Sequence, residues 1–420
     1  MESTYSNAKP WALLAYTVAD DKGGGDSLDA AAKEELKAIC DACDFSRVGV
    51  ATQVDFKNIS GVFRAVLSQA PTRDVDDVRA DDYPLWREVQ NRLAQSKLEL
   101  SKEASELNSA RGSVLQDFLQ FGHQECRAQR HVVYFYGHSH GPMGLYFDKD
   151  AGKRAPATSM RLNDLADSLQ TPDCRAALLV FRDCFMSTLE AAYQLSGVAE
   201  FMIASQSEVP IAGVWPWQAF MDSLMPSATS IDQARTFATT LGRFLRDQPN
   251  RGKFADAPMT LLDLNAASDI VAPLKALVDA IEDGRNDGHR RAACAAEFER
   301  ARVGTNTPDD PGDPALVDVQ TLCDNLQRLK SDPAVVTAAT ALGDVVRVGN
   351  QLMVAHYAQR TPSPHQGVAL YYKPVTKKDK DRSYIYDEGF EKDDEDNYEK
   401  LALNVATGWH RVALNPLSAT

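Results

Sequence analysis

Positive charge is scarce relative to negative in this sequence: 45 Lys and Arg stand against 59 Asp and Glu, a formal net charge of −14. That excludes the basic face a nucleic-acid binder presents. Apolar runs are short. None approaches the roughly 20 residues that span a bilayer, so no membrane helix is expected. The start, MESTYSNAKPWALLAYTVADD, lacks the basic opening, apolar core and small-residue cleavage site of a signal peptide. Cysteine is sparse and odd in number, seven in all, at 40, 43, 126, 174, 184, 294 and 323. Such a set suits free thiols in a reducing compartment rather than a disulfide framework, and a cytoplasmic location is expected. Cys40 and Cys43 form the single Cys-x-x-Cys pair. With no second pair, and near the end of a helix-like stretch, it reads as helix composition rather than a zinc or redox site.

What remains is an ordinary globular composition, 44% hydrophobic and 25% charged over 420 residues. That length buries one large core or two smaller ones. Short β-rich apolar runs recur at 11–18, 47–54, 131–137, 176–182, 199–205 and 367–373. Most are continuous rather than alternating, as in strands covered on both faces. Helical patterns separate them, at 27–43, 111–128, 162–170, 187–196, 231–247, 265–283, 315–331 and 333–358. The alternation predicts an α/β fold, a mostly parallel sheet with helices on both sides. GVFRAVL (61–67) reads as an edge hairpin strand, and 84–107 as a charged surface helix inserted into the fold. The break near 250–258 divides a core of residues 1–255 from a mainly helical portion, 256–420, that returns the strand 367–373 to the sheet.

Functional groups gather beyond the carboxyl ends of parallel strands. Strand 131–137 runs into His138, His140 and Gly141; strand 176–182 runs into Asp183 and Cys184. A cysteine facing a histidine across such a cleft is the minimal apparatus of thiol catalysis. A helix starting near Ser187 would turn its positive end toward Cys184 and favour the thiolate. Against this, a cysteine after an apolar strand is commonly a small buried hydrophobe, and a histidine there a plain loop residue.

YFYGHSHG, with VFRDCFMSTLEAAYQL following so that Cys184 lies 44 residues after His140, resembles the clostripain family of caspase-like cysteine proteases. The likeness continues in KPWALLAYTVADD, LNSARGSVLQDFLQFG, IASQSEVPIAGVWPW, LLDLNAASDIVAPLKALVDAI and GVALYYKPV, covering most of 10–375. It implies a caspase-like sheet and a cysteine endopeptidase acting on proteins or peptides. By resemblance Cys184 is the nucleophile and His140 the general base and acid. The backbone N–H groups of Gly141 and Cys184 form the oxyanion hole. His138 has no catalytic counterpart in the family.

The family carries Asp two residues before the cysteine, where it meets a basic side chain at P1, the substrate residue preceding the scissile bond. Here that position is Arg182, followed by Asp183. Arg182 in the pocket would select an acidic P1. A bulge bringing Asp183 there would restore a basic P1, the reading favoured here. Arg182 could also be turned away, paired with Asp183 or Glu208. Residues 142–160 read as a mobile loop. Some clostripain-like proteases are cut between the two motifs, and Lys153 and Arg154 would suit a zymogen processed after a basic residue, by itself or by an upstream activating protease. Asp148 and Asp150 would suit an acidic preference. No cofactor is expected. Calcium, on which family members often depend, has only Asp20, Asp21 and the acidic run 393–396 as candidates, and these lack the spacing of an EF-hand loop. The rival reading is a caspase-like scaffold that binds partners without proteolysis.

Overall fold

The computed structural model describes residues 8–19, 27–56, 62–67, 108–148, 158–170, 175–210, 214–247, 258–303, 312–358, 366–383, 385 and 392–417. The helix expected at 84–107, the pair Lys153 and Arg154, and Asp20, Asp21 and Asp150 lie outside them.

The continuous apolar runs form the middle of a sheet. Strands β1 (Lys9–Val18), β2 (Val48–Asp55), β4 (Ala128–Tyr136), β7 (Ala176–Phe181) and β8 (Ala199–Ala204) pair in parallel in the order β2-β1-β4-β7-β8. The edge strand β3 (Val62–Leu67) runs antiparallel to β2, as expected of an edge hairpin strand. On the other side the sheet continues through two antiparallel strands, β9 (Met259–Asp263) and β11 (Met353–Tyr357). The eight-stranded sheet thus reads β11-β9-β8-β7-β4-β1-β2-β3. Two small two-stranded antiparallel sheets stand apart from it, β5 (Leu145–Asp148) with β6 (Thr158–Met160), and β10 (Leu316–Asp318) with β12 (Ala369–Tyr371).

Three expectations are corrected. The segment 367–373 does not return to the main sheet; its residues 369–371 pair with β10. The strands that do return are β9 and β11. The pattern over 333–358 is not one helix, because the helix Pro333–Val346 ends and buried Leu352 and Met353 open β11. Residues 315–331 likewise begin with β10 before the helix Val319–Leu326. Short buried apolar runs do not distinguish strand from helix.

Side-chain alternation sorts the core into two layers. Trp11, Leu13, Val132, Tyr134, Leu178 and Val180 face helix α1 (Ser27–Ala42) and the aromatic group Trp215, Trp217, Phe220 and Phe237. Leu14, Tyr16, Val133, Phe135, Leu179 and Phe181 face helix α2 (Gly112–Glu125), helix α3 (Leu162–Leu169) and the C-terminal helices. Burying each such side chain contributes roughly 1.5–3 kcal/mol. Phe135 and Phe181 stack with ring centroids 4.8 Å apart, which locks together the ends of the two strands that carry the histidine and the cysteine.

Candidate active site

At Gly137, just past Tyr136, the chain has no room for a side chain. A Cβ on Gly137 would lie 2.6 Å from the Tyr146 ring and 2.9 Å from the Val18 carbonyl. The chain then folds into a tight corner. The His140 N–H donates to the Gly144 carbonyl at 2.9 Å, and the Tyr146 N–H to the His138 carbonyl at 2.9 Å. The Gly141 N–H donates to Ser139 Oγ at 2.9 Å. Gly141 has φ +58°, a left-handed conformation that favours glycine. It also needs to be small, since a Cβ there would lie 2.8 Å from the Phe185 carbonyl oxygen. The His-Gly corner therefore rests directly on the turn that carries Cys184.

That turn is held from several sides. Phe185, fully buried at φ +59°, donates its N–H to the Ser207 carbonyl at 3.2 Å. The Val209 N–H donates to Cys184 Sγ at 3.3 Å. Ser187 donates its N–H to the Ser205 carbonyl and its Oγ to the Gly367 carbonyl, while Ala369 donates back to the Ser187 carbonyl. Segment 366–371 from the C-terminal portion thus clamps the residues after the cysteine. Farther along, Glu190 Oε1 accepts from the Tyr371 N–H at 2.9 Å and from the Tyr398 hydroxyl at 2.7 Å.

His140 and Cys184 are both half-buried, and the corner contact brings their two loops together. His138 is half-buried one residue before the buried Ser139. The helix after the cysteine, α4 (Leu189–Gln194), starts two residues later than expected, behind Thr188, whose Oγ1 accepts from the Ala191 N–H. Its positive end does not free the thiol. Burial pushes the Cys184 thiol up to about 12; the Val209 N–H pulls the other way, and the Glu208 and Asp183 carboxyls add to the rise. The thiolate expected from the helix start is therefore disfavoured in this state. The Gly141 amide, expected in the oxyanion hole, is engaged by Ser139 and would have to exchange that partner.

The two residues expected to contact substrate are not in an open pocket. Arg182 is 4% exposed, and its guanidinium pairs with Glu35 of α1 at 2.6 Å. It lies 5.1 Å from the Tyr136 ring centre and 5.3 Å from that of Trp215. Glu35 also accepts from the Tyr134 hydroxyl at 2.9 Å and the Trp215 N–H at 3.2 Å. Burial alone would discharge Arg182, but the Glu35 carboxylate more than offsets it. Asp183 points away from this layer and is 0% exposed, and neither carboxylate oxygen has a hydrogen-bond partner among the described residues. Burial holds its carboxyl well above the usual carboxylate range.

Sequence reasoning did not find Glu35. The signal was present: Leu28, Ala32, Leu36 and Ile39 mark the buried stripe of α1, and Glu35 stands in it. Arg182 is turned away from the cleft, as one reading of the sequence had it, but its partner is Glu35 in place of the expected Asp183 or Glu208; Val209 was visible only as part of a family-like segment. Among the described residues no group of three or more His, Cys, Asp or Glu could hold a metal, and Glu395 of the acidic run pairs with Lys373 at 2.5 Å.

The clostripain family model matches residues 89–399. Solved structures similar to the chain include a secreted C11 cysteine protease from Bacteroides thetaiotaomicron in complex with an irreversible peptide inhibitor. It is 15% identical, with a TM-score of 0.62 over 96% of this chain and 99% of that one. An inactive zymogen C11 protease from Parabacteroides distasonis is 16% identical, with a TM-score of 0.63 over 95% and 98%. A further secreted C11 protease from B. thetaiotaomicron, "iotapain", is 13% identical, with a TM-score of 0.59 over 95% and 99%. No curated protein sequence matches the chain. The cytoplasmic location expected above is corrected by these findings, since two of the similar structures are of secreted proteases. All six described cysteines are thiols outside any disulfide, and five of them are buried. Buried thiols are inert in any compartment, so their free state carries no address.

Proposed function

The chain belongs to the clostripain family and is a cysteine-type endopeptidase; on that premise we propose that Cys184 is its nucleophile and His140 its proton shuttle. The contact of Gly141 with the Phe185 carbonyl carries this assignment, because it sets the histidine corner against the cysteine turn. In the reaction, His140 takes the thiol proton and Cys184 Sγ attacks the scissile carbonyl carbon. The oxyanion forms against the backbone N–H groups of Cys184 and Gly141. His140 returns the proton to the leaving amine, leaving a thioester. Water, deprotonated by His140, attacks the thioester and releases the acid and the free thiol.

We take P1 to be basic. Arg182 is engaged by Glu35 rather than presented to an acidic P1, and the carboxyls that bear on the thiol are Asp183 and Glu208. The protein is read as a zymogen cut within 142–160, at Lys153 or Arg154. Two features support a resting state: the thiol is held protonated and the Gly141 amide is engaged. Cutting by its own active site or by an upstream protease would release both. Following its secreted relatives, it would work outside the cytoplasm.

Intact mass of purified wild type and of Cys184→Ala tests this. The wild type should convert to two fragments separated after Lys153 or Arg154 and then hydrolyse fluorogenic peptides ending in Arg or Lys. Cys184→Ala should stay whole and inactive. Peptide hydrolysis undiminished in Cys184→Ala would reject the nucleophile assignment.

A further inference from the structure

The cysteine turn leans on residues 205–209. The Ser187 N–H donates to the Ser205 carbonyl at 2.8 Å, the Phe185 N–H to the Ser207 carbonyl at 3.2 Å, and the Val209 N–H to Cys184 Sγ at 3.3 Å. Gln206, between these contacts, is 0% exposed, and both ends of its side-chain amide are used. Its Oε1 accepts from the Gly367 N–H at 2.6 Å, and its Nε2 donates to Asp318 Oδ2 at 3.0 Å. A backbone N–H can only donate, so Gly367 fixes which way the amide faces.

Gly367 also closes a ring. Its carbonyl accepts from Ser187 Oγ at 2.6 Å and from Thr260 Oγ1 of β9 at 2.8 Å. Hydrogen bonds thus run from Ser187 through Gly367 to Gln206, and back through the Ser205 carbonyl to the Ser187 N–H. Asp318 anchors this ring to the C-terminal portion. Its Oδ2 accepts from the Gln366 N–H at 2.7 Å, and its Oδ1 accepts from the Thr321 N–H at 2.7 Å, at the start of the helix Val319–Leu326.

We propose that Gln206 is a positioning residue for Cys184, holding segment 205–209 against the nucleophile turn and, through Gly367 and Asp318, making that hold depend on the docked C-terminal portion. This rests on the protease reading above and adds a residue that is sealed from substrate. Two groups of the reaction hang on the segment. One is Sγ, which receives the Val209 N–H. The other is the Cys184 N–H of the oxyanion hole, one residue before the Phe185 N–H that the Ser207 carbonyl holds. Displacing either by about 1 Å costs on the order of 100-fold in rate. Because Gln206 does not reach the cleft, the loss should fall on kcat and leave KM nearly unchanged.

The experiment uses the full chain, activated for kinetics, as wild type, Gln206→Leu, Gln206→Glu, and Gln206→Glu combined with Asp318→Asn. Gln206→Leu keeps the bulk and removes both bonds; kcat on peptides ending in arginine or lysine should fall about 10- to 100-fold. Gln206→Glu sets a second carboxylate against Asp318 and should fall at least as far. The combination lets an amide at 318 donate to a carboxylate at 206, and should recover part of the loss. Hydrogen exchange read by mass spectrometry follows the same hold without turnover. In Gln206→Leu, peptides covering 184–188 and 205–209 should exchange about tenfold faster, while those of β1 and β4 keep their wild-type rates. Unchanged kcat and exchange in a Gln206→Leu that melts like wild type would overturn the proposal. So would a loss carried by KM alone, or a combination no better than Gln206→Glu, the comparison that decides if Gln206→Leu does not fold. Faster exchange at the turn, in a protein whose wild type hydrolyses no peptide, would support Gln206 while striking at the protease reading alone.

Discussion

Arg182 and Asp183 are neighbours in the chain, both hidden from solvent, and their surroundings are opposite. Alternation at the end of β7 sends Arg182 into the α1 layer, where Glu35, the Pro210 carbonyl and two aromatic rings receive it. Asp183 goes the other way and meets no hydrogen-bond donor among the described residues. The charged residue with an opposite charge beside it serves the fold. The one without lies next to the nucleophile and weakens its acidity. In charge pairing the α1 side is finished and the Cys184 side is not, although both hold buried polar atoms without a hydrogen-bond partner among the described residues, the Tyr136 hydroxyl and Trp217 Nε1 under α1 included.

Breaking the finished side should cost most. Glu35→Ala leaves a buried guanidinium without its carboxylate, and should lower unfolding free energy by about 3–5 kcal/mol in a urea titration. Replacing both members, Glu35→Leu with Arg182→Met, should recover most of that loss, because an apolar pair needs no compensation. A double variant as unstable as the single one would show that the pair is not an isolated charge couple. The next effect falls on the other side. Gly141→Ala imposes a left-handed conformation on a residue with a Cβ and pushes that Cβ against the Phe185 carbonyl. The conformation costs about 1–3 kcal/mol. The displacement of His140 from Cys184 should lower kcat/KM on the order of 100-fold. Glu35→Ala should therefore show mainly in melting, and Gly141→Ala mainly in turnover; similar patterns for both would dissolve the distinction between the layers.

Much of this was legible in the sequence. The five parallel strands are covered on both faces over most of their length, so their runs are largely apolar, and the motifs GHSHG and RDC mark where two of them end. The pairing of Arg182 was not legible. Its partner comes from α1, near the chain start, and only the folded sheet brings the two together. The sign of a charged pocket is a property of such pairs, not of the residue beside the cysteine. The fate of 367–373 was hidden for a similar reason. Its apolar pattern fits any buried strand, and the choice of β10 over the main sheet depends on how the C-terminal helices pack.

The smallest effect belongs to Asp183 and can be read through pH. Its carboxyl titrates well above its ordinary value of 3.8 in the folded chain, because burial disfavours the charged form. Below the unfolded value both states hold the proton, and the group's contribution to stability is complete. As pH rises, the unfolded chain releases the proton first, so the contribution is lost progressively up to the folded value. Asp183→Asn removes this titration while keeping the shape. Relative to the variant, wild type should lose stability as pH rises above the unfolded value, each unit of pH costing at most about 1.4 kcal/mol until the folded carboxyl ionises. Thermal melts at successive pH values would measure the gap. A gap that stays constant with pH would mean that Asp183 finds a cation or a donor in solution. The unfinished side of the turn would then be complete after all.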